Sequence, residues 1–263
     1  MDQEASPVAH EAPRVDLDPA AAPEIQAPPV APAVARYLTE GFGQVLGWGI
    51  NPVTARYFLL CDDFQKRHGH AGNLFEIGVH HGRAGILLAL LARADETTVL
   101  ADLFERQAEN VDRSGQGSRA HLEANLTAWA PGARAAIVQA NSLELDFATV
   151  PALAAGVRLA HVDGGHHVDA VVNDLRKTEA VLAPHGIVVV DDFMSVRWPE
   201  VTEGSYAYLA ESRGLAPVAM GRNKLILTTT GNAQALIDHI AARLTPPAGK
   251  PVRMGGRPCL SLV

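Results

Sequence analysis

Asp163, His166, Asp191 and Asp192 stand where strands end, and their types suit acid–base or metal chemistry. Asp163 closes the apolar run Val157–Val162 and opens the string D-G-G-H-H; Asp191 and Asp192 close the apolar run 187–190, beginning 28 residues later. That separation fits a strand–helix–strand crossover, which usually joins neighbouring strands with a right-handed turn. Three carboxylates are then expected to meet at the C-terminal edge of one sheet, the edge at which open α/β sheets bind ligands. Left alone they would repel and raise one another's pKa, and a divalent cation resolves the conflict. The candidate ligands are hard oxygens with no thiolate beside them, so Mg²⁺ leads, with Ca²⁺ or Mn²⁺ as substitutes. The competing expectation is that Asp191 or Asp192 merely caps the turn 193–195. His166, three residues past Asp163, is expected as a general base, since a neutral imidazole with pKa ~6.5 suits that task. His167 faces elsewhere on the same turn.

A second constellation lies upstream, in N-L-F-E-I-G-V-H-H-G-R-A-G at 73–85. An apolar strand, 74–77, runs into Gly78, Gly82 and Gly85 and then into an apolar helix. Glycine permits the sharp bend and lets backbone approach a ligand at the helix N-terminus. A dinucleotide fingerprint, G-x-G-x-x-G, would place its middle glycine at His80, and that side chain argues against a pyrophosphate. The spacing present is E-x-G-x-x-x-G, from Glu76 through Gly78 to Gly82. Asp102 ends the next buried strand, 98–101, and lies 20 residues past Gly82, where a carboxylate holds a ribose diol. His80 and His81 are expected to shape this pocket. Asn141 and Ser142, after the strand 135–139, fall where contacts to an adenine would sit.

These residues need a parallel sheet to position them. Five strands alternate with helices from 74 to 190, and 215–220 with 224–229 form a hairpin around Gly221, Arg222 and Asn223. The fold class expected is α/β, a Rossmann-like doubly wound seven-stranded sheet with an antiparallel C-terminal hairpin. The polar segment 103–117 reads as a loop over the cleft, with Gln107, Asn110 and Asp112 facing ligand or solvent. Upstream, 34–70 reads as two amphipathic helices carrying Tyr37, Phe42, Trp48, Tyr57 and Phe58, packed on the core or lidding the site. Residues 1–33, rich in Ala and Pro, are expected to be disordered or to dock on a neighbour. Trp198, Tyr206 and Tyr208, between the last parallel strand and the hairpin, are expected to form an apolar wall for a second ligand or to pack in the core. The domain so delimited is 71–245, and 246–263 is a loop-like tail.

The spacing Glu76–Gly78–Gly82 resembles the first motif of class I S-adenosylmethionine-dependent methyltransferases, whose ligand carries no phosphate. F-E-I-G-V-H-H-G, V-L-A-D-L-F, H-V-D-G-G-H and V-V-V-D-D-F together resemble the metal-dependent O-methyltransferases related to the macrocin and mycinamicin sugar enzymes, with cephalosporin hydroxylase-like and rhamnosyl methyltransferase-like relatives. The likeness covers 74–193. It implies Asp163, Asp191 and Asp192 as metal ligands and His166 as catalytic base beside Asp163. It implies Glu76, Gly78, His80, Gly82, Asp102, Leu103, Ser142 and Asp163 around S-adenosylmethionine. The activity implied is transfer of a methyl group to a hydroxyl of a small molecule, a natural-product sugar or a catechol-like diol. The rivals are metal-independent methylation of nitrogen or carbon, and an NAD-dependent oxidoreductase.

Composition narrows the partners. With 263 residues, 48% hydrophobic content and a formal net charge of -7, the chain can bury one ample core and has no general attraction for nucleic acid or anionic lipid. A small-molecule acceptor and a homo-oligomer are the expected partners. Cys61 and Cys259 have no C-x-x-C spacing, no run nears the roughly 20 apolar residues of a membrane span, and the start M-D-Q-E-A-S-P lacks the order of a signal peptide. A cytoplasmic protein is expected.

Overall fold

The computed structural model describes residues 25–244 and 249–262. Apolar segments long enough for strands but bounded by glycine turns build the sheet. β1 (Asn73–Ile77), β2 (Thr98–Asp102), β3 (Ala135–Gln139), β4 (Val157–Val162) and β5 (Leu182–Val190) are parallel; β6 (Leu215–Gly221) and β7 (Lys224–Thr229) follow. β7 runs antiparallel to both β5 and β6. The order is β3-β2-β1-β4-β5-β7-β6, extended by β9 (Arg257–Ser261) and β8 (Lys250–Met254). The sheet therefore has nine strands where seven were expected, because the tail at 246–263 supplies a hairpin rather than a loop. β9 joins β6 in parallel, through Ala219↔Leu260 and Met220↔Ser261.

Strand order reverses between β1 and β4, which opens a crevice at their C-terminal ends. Helices cover both faces. α2 (Pro52–Arg67) starts with a capping box, in which Asn51 Oδ1 accepts from Val53 N and Thr54 N while Thr54 Oγ1 accepts from Asn51 N. α3 (Arg83–Leu91) is nearly all apolar because it is nearly all buried. With α8 (Ala233–Ala241) these two helices pack on one face; α6 (Val168–Val181) and α7 (Pro199–Glu211) pack on the other. β5 takes in Pro184-His185-Gly186 near its N-terminal end.

Of the arm expected at 1–33, residues 1–24 lie outside the described residues. Ile25 is buried and bridges Leu244, and α1 (Pro32–Arg36) begins inside the expected arm. Tyr37, Phe42, Tyr57 and Phe58 are core residues, whereas Trp48 is exposed on the linker between α1 and α2. Among the described residues no helix is long and apolar enough to cross a membrane.

Candidate functional site

β1 leaves the sheet at Gly78, whose φ is 81°. A Cβ there would lie 1.7 Å from the Asp163 carbonyl oxygen, so only glycine lets the turns after β1 and β4 cross. The chain continues through His80 to Gly82, the left-handed N-cap of α3. Asp102, at the end of β2, braces this turn. Its Oδ2 accepts from His80 N at 2.7 Å and its Oδ1 from Phe104 N at 2.6 Å. Burial pushes the Asp102 carboxyl up, and the backbone donors pull it back part of the way.

Beneath the turn lies a buried chain of charged groups. Glu76 sits opposite His161 in the β1–β4 register, and His161 Nδ1 lies 2.8 Å from Glu76 Oε1. His161 Nε2 is 3.6 Å from Asp191 Oδ2, beyond hydrogen-bond reach. Asp191 Oδ1 accepts from its neighbour Asp192 N at 2.6 Å and from the buried ammonium of Lys224. Burial pushes Glu76 up, partly offset by His161. It also pushes up Asp191, but the charges of Lys224 and His161 and the hydrogen bond from Lys224 together outweigh it and hold Asp191 below the usual carboxylate range. Asp163 has no such partner, so burial and the Asp191 charge together raise it well above that range. Glu76 Oε2, His161 Nε2 and Asp191 Oδ2 are buried with no hydrogen-bond partner.

Toward solvent stands His166. Asp112, from the loop after β2, accepts from His166 N at 2.7 Å and from Nδ1 at 2.8 Å. Nε2 then faces Asp192 Oδ2 at 3.2 Å and Asp163 Oδ1 at 4.0 Å. Trp198 stacks on the imidazole with ring centroids 4.3 Å apart. Burial draws the imidazole down, but its hydrogen bonds to Asp112 and Asp192 overcome this and hold it up at about 9. Asp112 is held well below the usual range: the bonds from His166 and Ser114 outweigh its burial. As it stands, His166 is an imidazolium oriented for proton exchange at Nε2.

The three expected metal ligands fall into two overlapping groups. Ligand atoms of Asp163, His166 and Asp192 lie within 4.8 Å of one another, as do those of His161, Asp163 and Asp191. Asp163 is common to both. The two carboxylates of the outer set, Asp163 and Asp192, offer oxygens that fit a divalent cation, and the inner set, joined to it through Asp163, adds the unpartnered Asp191 Oδ2. Lys224 occupies the other Asp191 oxygen.

These groups floor a cavity of about 690 Å³. Glu76, Gly78, His80, Asp102, Leu103, Ser142 and Asp163 line it, as do Asn141, Gln107, Asn110 and Asp112. Gly82 shapes the turn without lining the cavity. Of the expected acceptor wall only Trp198 lines it; Tyr206 lies on the surface, and Tyr208 is in the core, donating to Glu179 Oε2. Sequence reading missed Lys224, His161 and the glycines Gly47 and Gly49 on either side of Trp48. A Cβ on Gly49 would come within 2.4 Å of Asp163 Oδ2 and 2.9 Å of Asp191 Oδ2. Three signals were present: a lone lysine opening the apolar strand K-L-I-L, a histidine two places before Asp163 and so on the same strand face, and paired glycines flanking a tryptophan.

Residues 75–193 match the family model described as a methyltransferase domain. No curated protein matches the chain in sequence. Among solved structures, the O-methyltransferase NovP is similar with a TM-score of 0.57 at 19% identity, over 68% of this chain and 82% of its own. The SAH-bound methyltransferase PaMTH1 of Podospora anserina gives 0.55 at 12%, over 77% and 89%. TomG of Streptomyces achromogenes, an O-methyltransferase of tomaymycin synthesis in complex with SAM, gives 0.52 at 15%, over 76% and 90%. The family match spans the strands and turns that build the cavity, so residues 75–193 match a methyltransferase domain within a fold shared with these enzymes.

Proposed function

We propose that this chain transfers the methyl group of S-adenosylmethionine to a hydroxyl oxygen of a small molecule, with a divalent cation, Mg²⁺ foremost, at the floor of the cavity. The observation that carries this reading is the gathering of Asp163, His166 and Asp192 within 4.8 Å at the cavity floor, beside the glycine turn after β1. Solved relatives of the same fold hold SAM or SAH, and several are O-methyltransferases. By position, the cofactor's methionine end lies against Gly78 and Asp163, and its ribose against Asp102 and Leu103. Its adenine lies near Asn141 and Ser142. A cation held by Asp163 and Asp192, with Asp191 Oδ2, would lower the pKa of an acceptor hydroxyl and draw Asp192 from His166.

The chain's own groups do the rest. The acceptor oxygen would attack the sulfonium methyl in line, the C–S bond breaking as the O–C bond forms; with Asp192 turned to the cation, His166 would have given up its Nε2 proton to solvent and so would take the hydroxyl proton there. Asp112 holds that imidazole by Nδ1, which fixes Nε2 toward the floor. Binding both reactants in one cavity makes the step effectively unimolecular. The sulfonium loses its charge on the way, so the buried carboxylates serve chiefly to position.

One observation favours a second reading, transfer without metal: Lys224 already supplies a buried cation to Asp191. Calorimetric titration with SAH, followed by methyl transfer to a panel of diols in Mg²⁺ and in chelator, separates the two. Micromolar SAH binding with turnover abolished by chelator is the expected result; turnover unaffected by chelator selects the second reading. Failure to bind SAH overturns both.

A further inference from the structure

The rim of the cavity differs in sign from its floor. Arg113, Arg197 and Arg222 lie on three separate loops, after β2, after β5 and between β6 and β7, and all three line the cavity. Among the described residues none of the three makes an ion pair, although other arginines of this acidic chain, such as Arg158 and Arg243, do. Arg197 instead places its guanidinium 5.4 Å from the centre of the Trp198 ring, the ring that stacks on His166. The same rim collects apolar side chains: five of the seven exposed large hydrophobics among the described residues line this one cavity, among them Trp48, Met194 and Val196. Such a patch on a monomer marks a binding surface, and unpaired arginines beside aromatic faces suit an oxyanion attached to an apolar or planar body.

We propose that the methyl acceptor is an amphiphilic anion. Its apolar, hydroxyl-bearing body lies against Trp48, Met194, Val196 and Trp198, and its carboxylate or phosphate group is received by Arg197 and Arg222, with Arg113 on the third loop. Transfer needs the hydroxyl at the floor beside His166, so the anionic group points outward, and the arginines of the three loops set the direction in which the acceptor enters. This assignment rests on the methyltransferase reading above and adds the class of its second substrate.

The test uses the full chain loaded with SAH and Mg²⁺, and probes of one shape: 3,4-dihydroxycinnamate, its neutral methyl ester, 3,4-dihydroxyphenethylamine as the cation, and 3,4-dihydroxybenzyl phosphate. Calorimetry should give at least one anion bound about tenfold more tightly than the ester and the amine. The better of the two anions tells carboxylate from phosphate. That preference should fall several-fold in Arg197→Ala or Arg222→Ala, vanish in the double variant, return in part in Arg197→Lys, and weaken at 0.5 M salt, while SAH affinity stays unchanged. Equal binding of ester and anion, tighter binding of the amine, no binding of any probe to the SAH-loaded protein, or an anion preference that survives the double variant each overturn the assignment. Absence of SAH binding instead removes the methyltransferase reading on which it stands.

Discussion

β4 carries a buried charged cluster at each end, and the two are built on opposite terms. At its N-terminal end Arg158 is fully buried, yet its guanidinium donors meet Glu96, Asp62, Gln65 and the Leu91 carbonyl oxygen, while Gln65 in turn donates to the Arg158 carbonyl. At its C-terminal end, His161 and Asp163 join Glu76, Asp191 and Lys224, and three buried polar atoms there lack partners. A satisfied buried network fixes structure. One with open valences and carboxylates raised by burial is poised for a ligand. Two residues of strand, Leu159 and Ala160, separate Arg158 from His161, so the same β-sheet registers both.

Breaking the satisfied end should cost most in stability. Arg158→Met strands Asp62 and Glu96 in the core, and chemical denaturation should show a loss of about 3–5 kcal/mol, with cofactor affinity falling only as the folded fraction falls. At the open end the effect moves from folding to chemistry. Asp163→Asn removes a carboxylate already raised by its neighbours, so the unfolding midpoint should hold or rise while turnover drops about a hundredfold, ~2.7 kcal/mol in barrier. An equal stability loss in the two variants would erase the contrast.

Lys224→Met sharpens it further. The substitution leaves Asp191 without its cation, and a loss of about 2 kcal/mol is expected, less than at Arg158 because the cavity admits water. Added Mg²⁺ should restore part of the thermal midpoint in Lys224→Met and shift the unsubstituted protein less. The smallest effect is acid sensitivity at Glu96. Burial pushes its carboxyl up, but the hydrogen bonds and charge of Arg158 outweigh it and hold it below its ordinary value. Its stabilisation is therefore complete above the ordinary glutamate pKa of about 4.3 and lost as pH falls through the lowered value. Glu96→Gln should flatten the stability profile below pH ~4 by about 1 kcal/mol, and an unchanged profile would place the acid-sensitive groups elsewhere.

Much of this candidate site was legible because its charged groups stood at strand ends. Asp102, Asp163, Asp191 and Asp192 each follow an apolar run, and the glycines of the first turn fix where those ends converge. His166 was marked by its offset from Asp163. Lys224 was hidden because only the antiparallel register, Val190↔Leu225, brings it beside Asp191. Asp112 reaches His166 across 54 residues through a loop without periodic pattern. His161 has the look of a core residue in a wholly buried strand. The hairpin β8–β9 escaped notice since Pro251, Pro258 and the Gly255-Gly256 turn read as loop, whereas pairing with the edge of β6 supplied what propensity did not.

That added hairpin bears on how acceptor range can be altered by engineering. Leu262 N donates to the Met220 carbonyl oxygen, and a Cβ on Gly221 would fall 2.6 Å from the Leu262 carbonyl oxygen, so the root of the turn bearing Arg222 and Asn223 is gripped from both sides. Lengthening this turn would pry β9 from the sheet, whereas the loops at 103–117 and 191–198 are held by single side chains, through Asp112 to His166 and through Met194 N to Thr202 Oγ1, and not by a strand edge. A library aimed at new acceptors should therefore vary side chains at 222 and 223 and reserve insertions for the other two lips.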